Sequence, residues 1–199
     1  MENAIEVKEL TKFYGSLLAV NHVSFEVEDR EIFGLLGPNG AGKTTTMGMA
    51  LGLILPTEGN VYVFGERVTP GNPVLSRVGS FVEGPGFLPH LSGKENLELY
   101  WKASGRRDID PKFDEILEIA NLGTAINRKV RGYSQGMRQR LGIAQAMLGM
   151  PDLLILDEAQ QKGTGKWTVG HAVEMGVPLS VIGSAVEARI LSSIKDQRV

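Results

Sequence analysis

The sequence predicts an α/β domain built on a mainly parallel sheet, and three observations carry that reading. Two runs, Ile32 to Leu36 and the one opened by Asp152 (Leu153 to Leu156), are apolar without alternation, as suits strands covered on both faces. Segments with helical spacing lie between the strands: Ser92 to Lys102, Pro111 to Asn121 and Gln135 to Met150. The stretch Gly37-Pro38-Asn39-Gly40-Ala41-Gly42-Lys43-Thr44 satisfies G-x-x-x-x-G-K-[ST] and joins the first apolar run to a helix-like run, Thr44 to Leu53.

The remaining elements follow in order. Ile5 and Val7 alternate with Glu6 and Lys8, and Val23, Phe25 and Val27 repeat that period of two, so the chain opens with a small antiparallel sheet. Pro56 to Asn60 is a turn before a strand at Val61 to Phe64. Val78 to Val82 is a short strand ending at Glu83-Gly84-Pro85-Gly86. Leu97 and Tyr100, then Phe113, Ile116, Leu117 and Ala120, mark the buried stripes of two helices.

Composition sets bounds. The 199 residues suffice for one good core or one domain with a short appendage. A formal net charge of -2 gives no electrostatic reason for a nucleic-acid partner. The absence of cysteine excludes disulfides and thiolate metal sites and suits a reducing cytoplasm. His22, His90 and His171 share no ligand-like spacing. The start, Met1 to Ala4, lacks signal-peptide character, and no apolar run nears the ~20 residues that span a bilayer. Any membrane role is expected to be peripheral, through a partner.

The glycine-rich loop has a mechanical reading. Gly37, Asn39, Gly40, Gly42 and Thr45 belong to a backbone cradle whose N–H groups face a polyphosphate at a helix N-terminus. Lys43 would reach the β and γ phosphates, and the Thr44 hydroxyl would hold Mg²⁺. The alternative, a glycine-rich turn before an ordinary helix, fits this strand–loop–helix setting poorly. Downstream, an apolar strand ends in Asp157-Glu158: Asp157 would bind Mg²⁺ through its shell, and Glu158 would polarise an attacking water.

Tyr133-Ser134-Gln135-Gly136-Met137-Arg138-Gln139-Arg140, just before the helix leading to that strand, resembles the signature sequence of ATP-binding cassette (ABC) proteins. That resemblance implies a P-loop NTPase fold with an N-terminal antiparallel β subdomain and a helical subdomain. It implies ATP and Mg²⁺ as ligands. Ser134 and Gly136 would contact the γ-phosphate held by the other subunit of a head-to-tail dimer. Lys12-Phe13-Tyr14-Gly15 is similar to the A-loop, placing Tyr14 against adenine. Glu83 stands where most families have Gln; a carboxylate can still bind Mg²⁺ but donates no hydrogen bond. This change, with Gly-Pro-Gly-Phe and Ser92-Gly93-Lys94-Glu95-Asn96-Leu97 after it, resembles the bacitracin and lantibiotic export or immunity subfamily. In relatives this loop faces the membrane-spanning permease, so Pro85 to His90 is the candidate contact surface; a solvated Gly/Pro loop is the alternative. Such a subunit would lie in the cytoplasm, on the inner face of the membrane.

The resemblance covers Glu2 to Glu158 and then breaks. No Gly-Leu-Asp and no apolar strand closed by a switch His comes after it. Gln161 to Thr168, Gly176 to Leu179, Glu187 to Arg189 and Ser192 to Val199 resemble instead the C-terminal domain of 6-phosphogluconate dehydrogenase, from about Leu156 to the end. There the matching Lys166, Thr168 and Arg189 would contact a sugar phosphate. Both families have Ile-Leu-Asp-Glu at the join, Ile155 to Glu158, so the junction falls within a shared short sequence, by recombination, assembly error or design.

Two domains are therefore expected: 1–158, a truncated ABC ATP-binding domain whose core sheet stops after the Asp157-Glu158 (Walker B) strand, and 159–199, a helical fragment. Helix-like patterning at Trp167 to Gly176 and Leu179 to Ile194 leaves the Asp157 strand with an open edge unless the tail covers it. The expected function is that of the ATP-binding subunit of an ABC transporter for peptide antibiotic export or immunity, an ATPase by motif whose catalytic set is incomplete, so hydrolysis is weak or absent. A nucleotide-binding module without turnover and a non-catalytic dehydrogenase fragment are the alternatives. The tail is expected to be protease-sensitive and not to bind 6-phosphogluconate.

Overall fold

The computed structural model describes residues 3–82, 86–106 and 108–157, and the backbone of 180–184. The first two strands, β1 (Asn3–Tyr14) and β2 (Leu17–Glu28), form an antiparallel hairpin. With β4 (Glu58–Val63) and β5 (Glu66–Arg67) they make a four-stranded sheet in the order β2-β1-β4-β5. The alternation of Ile5 and Val7 with Glu6 and Lys8 is thus realised. Ile5, Val7, Val27 and Val63 are buried on the inner face, beside Met47 and Met49 of α1 (Lys43–Ala50).

The second sheet is parallel, in the order β3-β8-β7-β6: β3 (Ile32–Gly34), β6 (Val78–Phe81), β7 (Leu153–Asp157) and β8 (Ser180–Ser184). All five residues of β7 are buried, and its alternate side chains enter different cores. Leu153 and Ile155 join the core under the antiparallel sheet and α1, whereas Leu154 and Leu156 join the core of the helical subdomain. A strand with a core on each face has no polar side, which accounts for its unbroken apolar run. Each such side chain contributes about 1.5–3 kcal/mol by burial.

The helices are α2 (Gly93–Ala103), α3 (Phe113–Ala120) and α4 (Gln135–Ala146). α2 starts where a Ser-x-x-Glu pattern allows it: the Ser92 hydroxyl accepts from Glu95 N–H, and the Glu95 carboxylate accepts from Ser92 N–H at 2.7 Å. α4 lies so close to β6 that a Cβ at Gly142 would enter the Phe81 ring.

Two expectations are corrected. Ile32 to Leu36 reads as a strand covered on both faces, yet Ile32, Phe33 and Gly34 are only half-buried, because among the described residues β3 lies at the edge of the sheet. The helix-like spacing of Leu179 to Ile194 misplaces Ser180–Ser184, which is a strand. β8 lies between β3 and β7, pairing Ile32 with Val181 and Asp157 with Ser184, so neither edge of β7 is open. The tertiary slot overrides the local period there: Val181 and Ile182 are β-branched, and a gap between two parallel strands offers a full ladder of hydrogen bonds. The core sheet departs from the expected truncation at that one strand. The rest of 159–199 lies outside the described residues.

Candidate functional site

The loop Gly37–Gly42 leaves β3 and runs into α1, with Gly42 as the residue before the first helical turn at φ 84°. Only glycine fits there: the conformation is left-handed, and a Cβ would collide with the Ala19 carbonyl oxygen of β2. The loop is closed by Ala41 N–H donating to Pro38 O at 3.1 Å. The first turn of α1 is closed by Thr46 N–H and Thr46 hydroxyl, both donating to Gly42 O, at 2.8 and 3.0 Å. The Lys43 ammonium folds back over the loop, donating to Gly37 O at 2.7 Å and Pro38 O at 2.9 Å.

Thr44 makes the long-range connection. Its hydroxyl donates to Asp157 Oδ2 at 2.7 Å, across 113 residues of sequence. Asp157 is 7% exposed and ends β7, at the carboxyl ends of the parallel strands, where open α/β sheets bind their ligands. Two hard oxygen atoms therefore stand side by side, with one flexible cation on neutral carbonyls close by in sequence. The oxygens suit Mg²⁺, and the ammonium suits an anion that Mg²⁺ would accompany. Asn39, Gly40 and Gly37 are exposed on the loop, and Thr45 is half-buried in α1.

Tyr14 closes β1 and is 48% exposed, with the Lys12 ammonium 5.0 Å from its ring centroid and also donating to Leu55 O at 2.7 Å. The ring is thus half-exposed, with a cation over one face. Ser134 caps α4 and accepts from Met137 N–H at 3.3 Å, and nothing lies within 4 Å of a Cβ built on Gly136. Glu83, Glu158, Lys166, Thr168 and Arg189 lie outside the described residues, as does Pro85 of the candidate contact loop.

Comparison with known proteins decides the family. The model of the ABC transporter family matches residues 20–161. The chain belongs to the ABC transporter family. A second model, that of the 6-phosphogluconate dehydrogenase C-terminal domain, matches residues 149–199, and the two matches overlap across the Ile155–Glu158 join. The bacitracin transport ATP-binding protein of Bacillus licheniformis is 46% identical over 159 residues, covering 79% of this chain and 52% of that protein. Its Enterococcus faecalis counterpart is 44% identical, covering 79% and 51%. The chain thus spans about half the length of the curated relatives it matches. A crystal structure of a nucleotide-free ATP-binding cassette from an ABC transporter superposes with a TM-score of 0.80 at 21% identity. It covers 96% of this chain and 84% of that one, and it shares the fold. Among the described residues no helix is long and apolar enough to cross a membrane.

Two contacts were not read from the sequence. The packing of Gly42 against Ala19 has no local signal, since the two lie on separate elements. The Lys12–Tyr14 contact could have been found from the same-face spacing of two residues on one strand.

Proposed function

We propose that this chain binds ATP with Mg²⁺ as the ATP-binding subunit of an ABC transporter, and that it hydrolyses ATP slowly. One observation carries the reading: the Thr44 hydroxyl and the Asp157 carboxylate meet at 2.7 Å, joining the glycine-rich loop to the end of the buried strand. Thr44 and Asp157 would hold Mg²⁺, which screens the phosphate charge and polarises its oxygens. Lys43 would exchange its two carbonyl partners for phosphate oxygens, trading neutral acceptors for charged ones that bind about twice as strongly. Tyr14 would stack on adenine. Glu158 would orient the attacking water, and Glu83 would add a carboxylate beside the metal. Ser134 and Gly136 would meet the nucleotide of a second, head-to-tail copy.

Slow turnover is supported by the residues after Asp157. The family's strand in this position ends in a switch His; β8 ends in Ser184, with Ala185 and Val186 next in the chain, and no Gly-Leu-Asp occurs after Glu158. Catalysis by positioning falls steeply when a positioning group is missing, on the order of 10²-fold or more. The relatives named for bacitracin transport support export of, or immunity to, a peptide antibiotic. The contact with a permease would run through Pro85 to His90, on the inner face of the membrane.

Titration with ATP·Mg²⁺ tests the first half: Lys43→Ala should lose most of the affinity, and equal affinity would overturn the assignment of the loop. Steady-state hydrolysis tests the second: turnover matching an intact ABC subunit, abolished by Glu158→Gln, would refute slow hydrolysis.

A further inference from the structure

The strand β1 runs past the end of β4. Its last pair with β4 is Thr11 with Glu58, whereas its pairing with β2 continues to Tyr14 with Leu17. Beyond Thr11 the hairpin tip is held by the turn after α1. Thr57 N–H donates to Thr11 O at 2.9 Å, Phe13 N–H to Thr57 Oγ1 at 3.0 Å, and the Lys12 ammonium to Leu55 O at 2.7 Å. The turn itself is bonded to the helix, because Leu53 N–H and Ile54 N–H donate to Gly48 O at 2.9 and 3.1 Å. A continuous run of bonds therefore joins α1, which starts with Lys43 and Thr44, to the segment that ends in Tyr14.

Of these links, Lys12 is the one that also reaches the Tyr14 ring. Its ammonium lies 5.0 Å from the ring centroid, within the range of a cation–π contact. Lys12 makes no ion pair among the described residues. Leu55 O holds the ammonium in place without cancelling its charge; a carboxylate there would cancel it.

We propose that Lys12 is a positioning residue for the nucleotide base: it occupies one face of Tyr14, leaves the other to a purine, and fixes the ring at a set reach from the phosphate loop. This rests on the reading of Tyr14 as the base platform and adds to it a residue that acts through the ring. Two aromatic faces both carry negative potential, so they repel when stacked in parallel. A cation held behind one ring draws on that potential and eases the stack in front. The bond to Leu55 makes the same side chain a strut, since the platform then keeps its place relative to α1 and the phosphates bound at its start.

The test is calorimetric titration of the full chain with ATP·Mg²⁺ and with tripolyphosphate·Mg²⁺, which has the phosphates and no base. Lys12→Met keeps a long apolar stem and removes the charge. It should weaken ATP binding about two- to fivefold and leave tripolyphosphate binding as it was. Lys12→Arg should restore the ATP affinity, since a guanidinium also stacks on an aromatic face and donates to a carbonyl. In a Tyr14→Leu background, Lys12→Met should change nothing further, because the ring through which it acts is gone. The proposal is overturned if Lys12→Met weakens both ligands alike, if its effect persists without the Tyr14 ring, or if arginine restores nothing. Failure of the parent to bind either ligand would sink the ATP-binding reading and this proposal with it. ATP binding that Lys12→Met leaves unchanged would sink only the role of Lys12.

Discussion

Asn96 holds Leu88 by both of its backbone polar groups. Leu88 N–H donates to Asn96 Oδ1 at 2.8 Å, and Asn96 Nδ2 donates to Leu88 O at 3.1 Å and to Ser92 O at 2.8 Å. Asn96 is 1% exposed, so these bonds form out of water, where an unmade one is costly. The side chain fixes the loop before α2 as a backbone turn would.

Asn96→Leu fills the same space without the bonds and should cost about 1–3 kcal/mol per polar group left without a partner. Urea unfolding would show this as a lower midpoint with an unchanged slope. Hydrogen exchange should quicken at Leu88 first. An unchanged midpoint would mean that the loop holds itself.

Gly42→Ala should damage both fold and nucleotide binding. The left-handed conformation costs a residue with a Cβ about 1–2 kcal/mol, before the collision with Ala19 O. Calorimetry should give a lower melting temperature, and titration a weaker ATP affinity. The exposed Gly40 shares the positive φ but nothing lies within 4 Å of its Cβ, so Gly40→Ala should be milder. Equal losses at both would argue against the steric account.

Thr44→Val keeps the shape of the side chain and deletes the hydroxyl. Loss of a hydrogen bond to a charged group costs about 1.5–3 kcal/mol. In titrations the variant should bind ATP equally with Mg²⁺ and with a chelator, whereas the parent should prefer Mg²⁺. A preserved Mg²⁺ preference would remove Thr44 from the proposed metal site.

The start of α2 should loosen in acid. The Ser92 backbone N–H, then the Ser92 hydroxyl, and beyond them Lys129 and His90, hold the Glu95 carboxyl below its ordinary value of 4.5. A depressed carboxyl stabilises the fold above its unfolded value, and that contribution is lost as pH falls through the folded value, so the window lies below 4.5. Amide exchange at Ser92 should rise there in the parent. In Glu95→Gln it should show no such step; a step of equal size would assign the effect to another group.

Ending the chain after Glu158 should cost the ATP-binding domain its stability, although the ABC family match itself ends at residue 161. β3 pairs with β8, and β7 pairs with β8 on one side, so truncation opens both strands. Circular dichroism should show a lower melting temperature and light scattering should show self-association through the freed edges. A truncated chain as stable as the parent would make β8 dispensable.

The legible parts of the fold had a reason to be legible. Gly37, Gly42, Lys43 and Thr44 are spaced for one loop, so the loop and the start of the helix after it could be placed within a residue, whereas the helix ends at Ala50, three residues before the Leu53 that the apolar spacing suggests. Ser92 and Glu95 mark the start of α2 because a capping box is a local device. The placement of β8 could not be read, because the slot that makes Val181 and Ile182 a strand is built by β3 and β7, far away in sequence. Asn96 was passed over for a related reason. It is one polar residue on the stripe of Gly93, Leu97 and Tyr100, and nothing in a helical period says that the stripe there faces backbone rather than side chains. The Thr44–Asp157 contact was legible as two motifs and not as a distance.

The place of β8 has a consequence for the order in which the molecule can be made. A ribosome delivers the phosphate loop early, together with β3, yet the strand to which β3 bonds lies far downstream, beyond β7. Parallel pairing over such a separation is slow to form. Until Ser180–Ser184 emerges, the nascent protein carries its phosphate loop on a strand whose one pairing among the described residues is unmade, and the edge of β7 that will receive β8 is open to chaperones and to other chains. The segment that resembles a dehydrogenase would therefore be the one for which the pairing of the phosphate-loop strand waits.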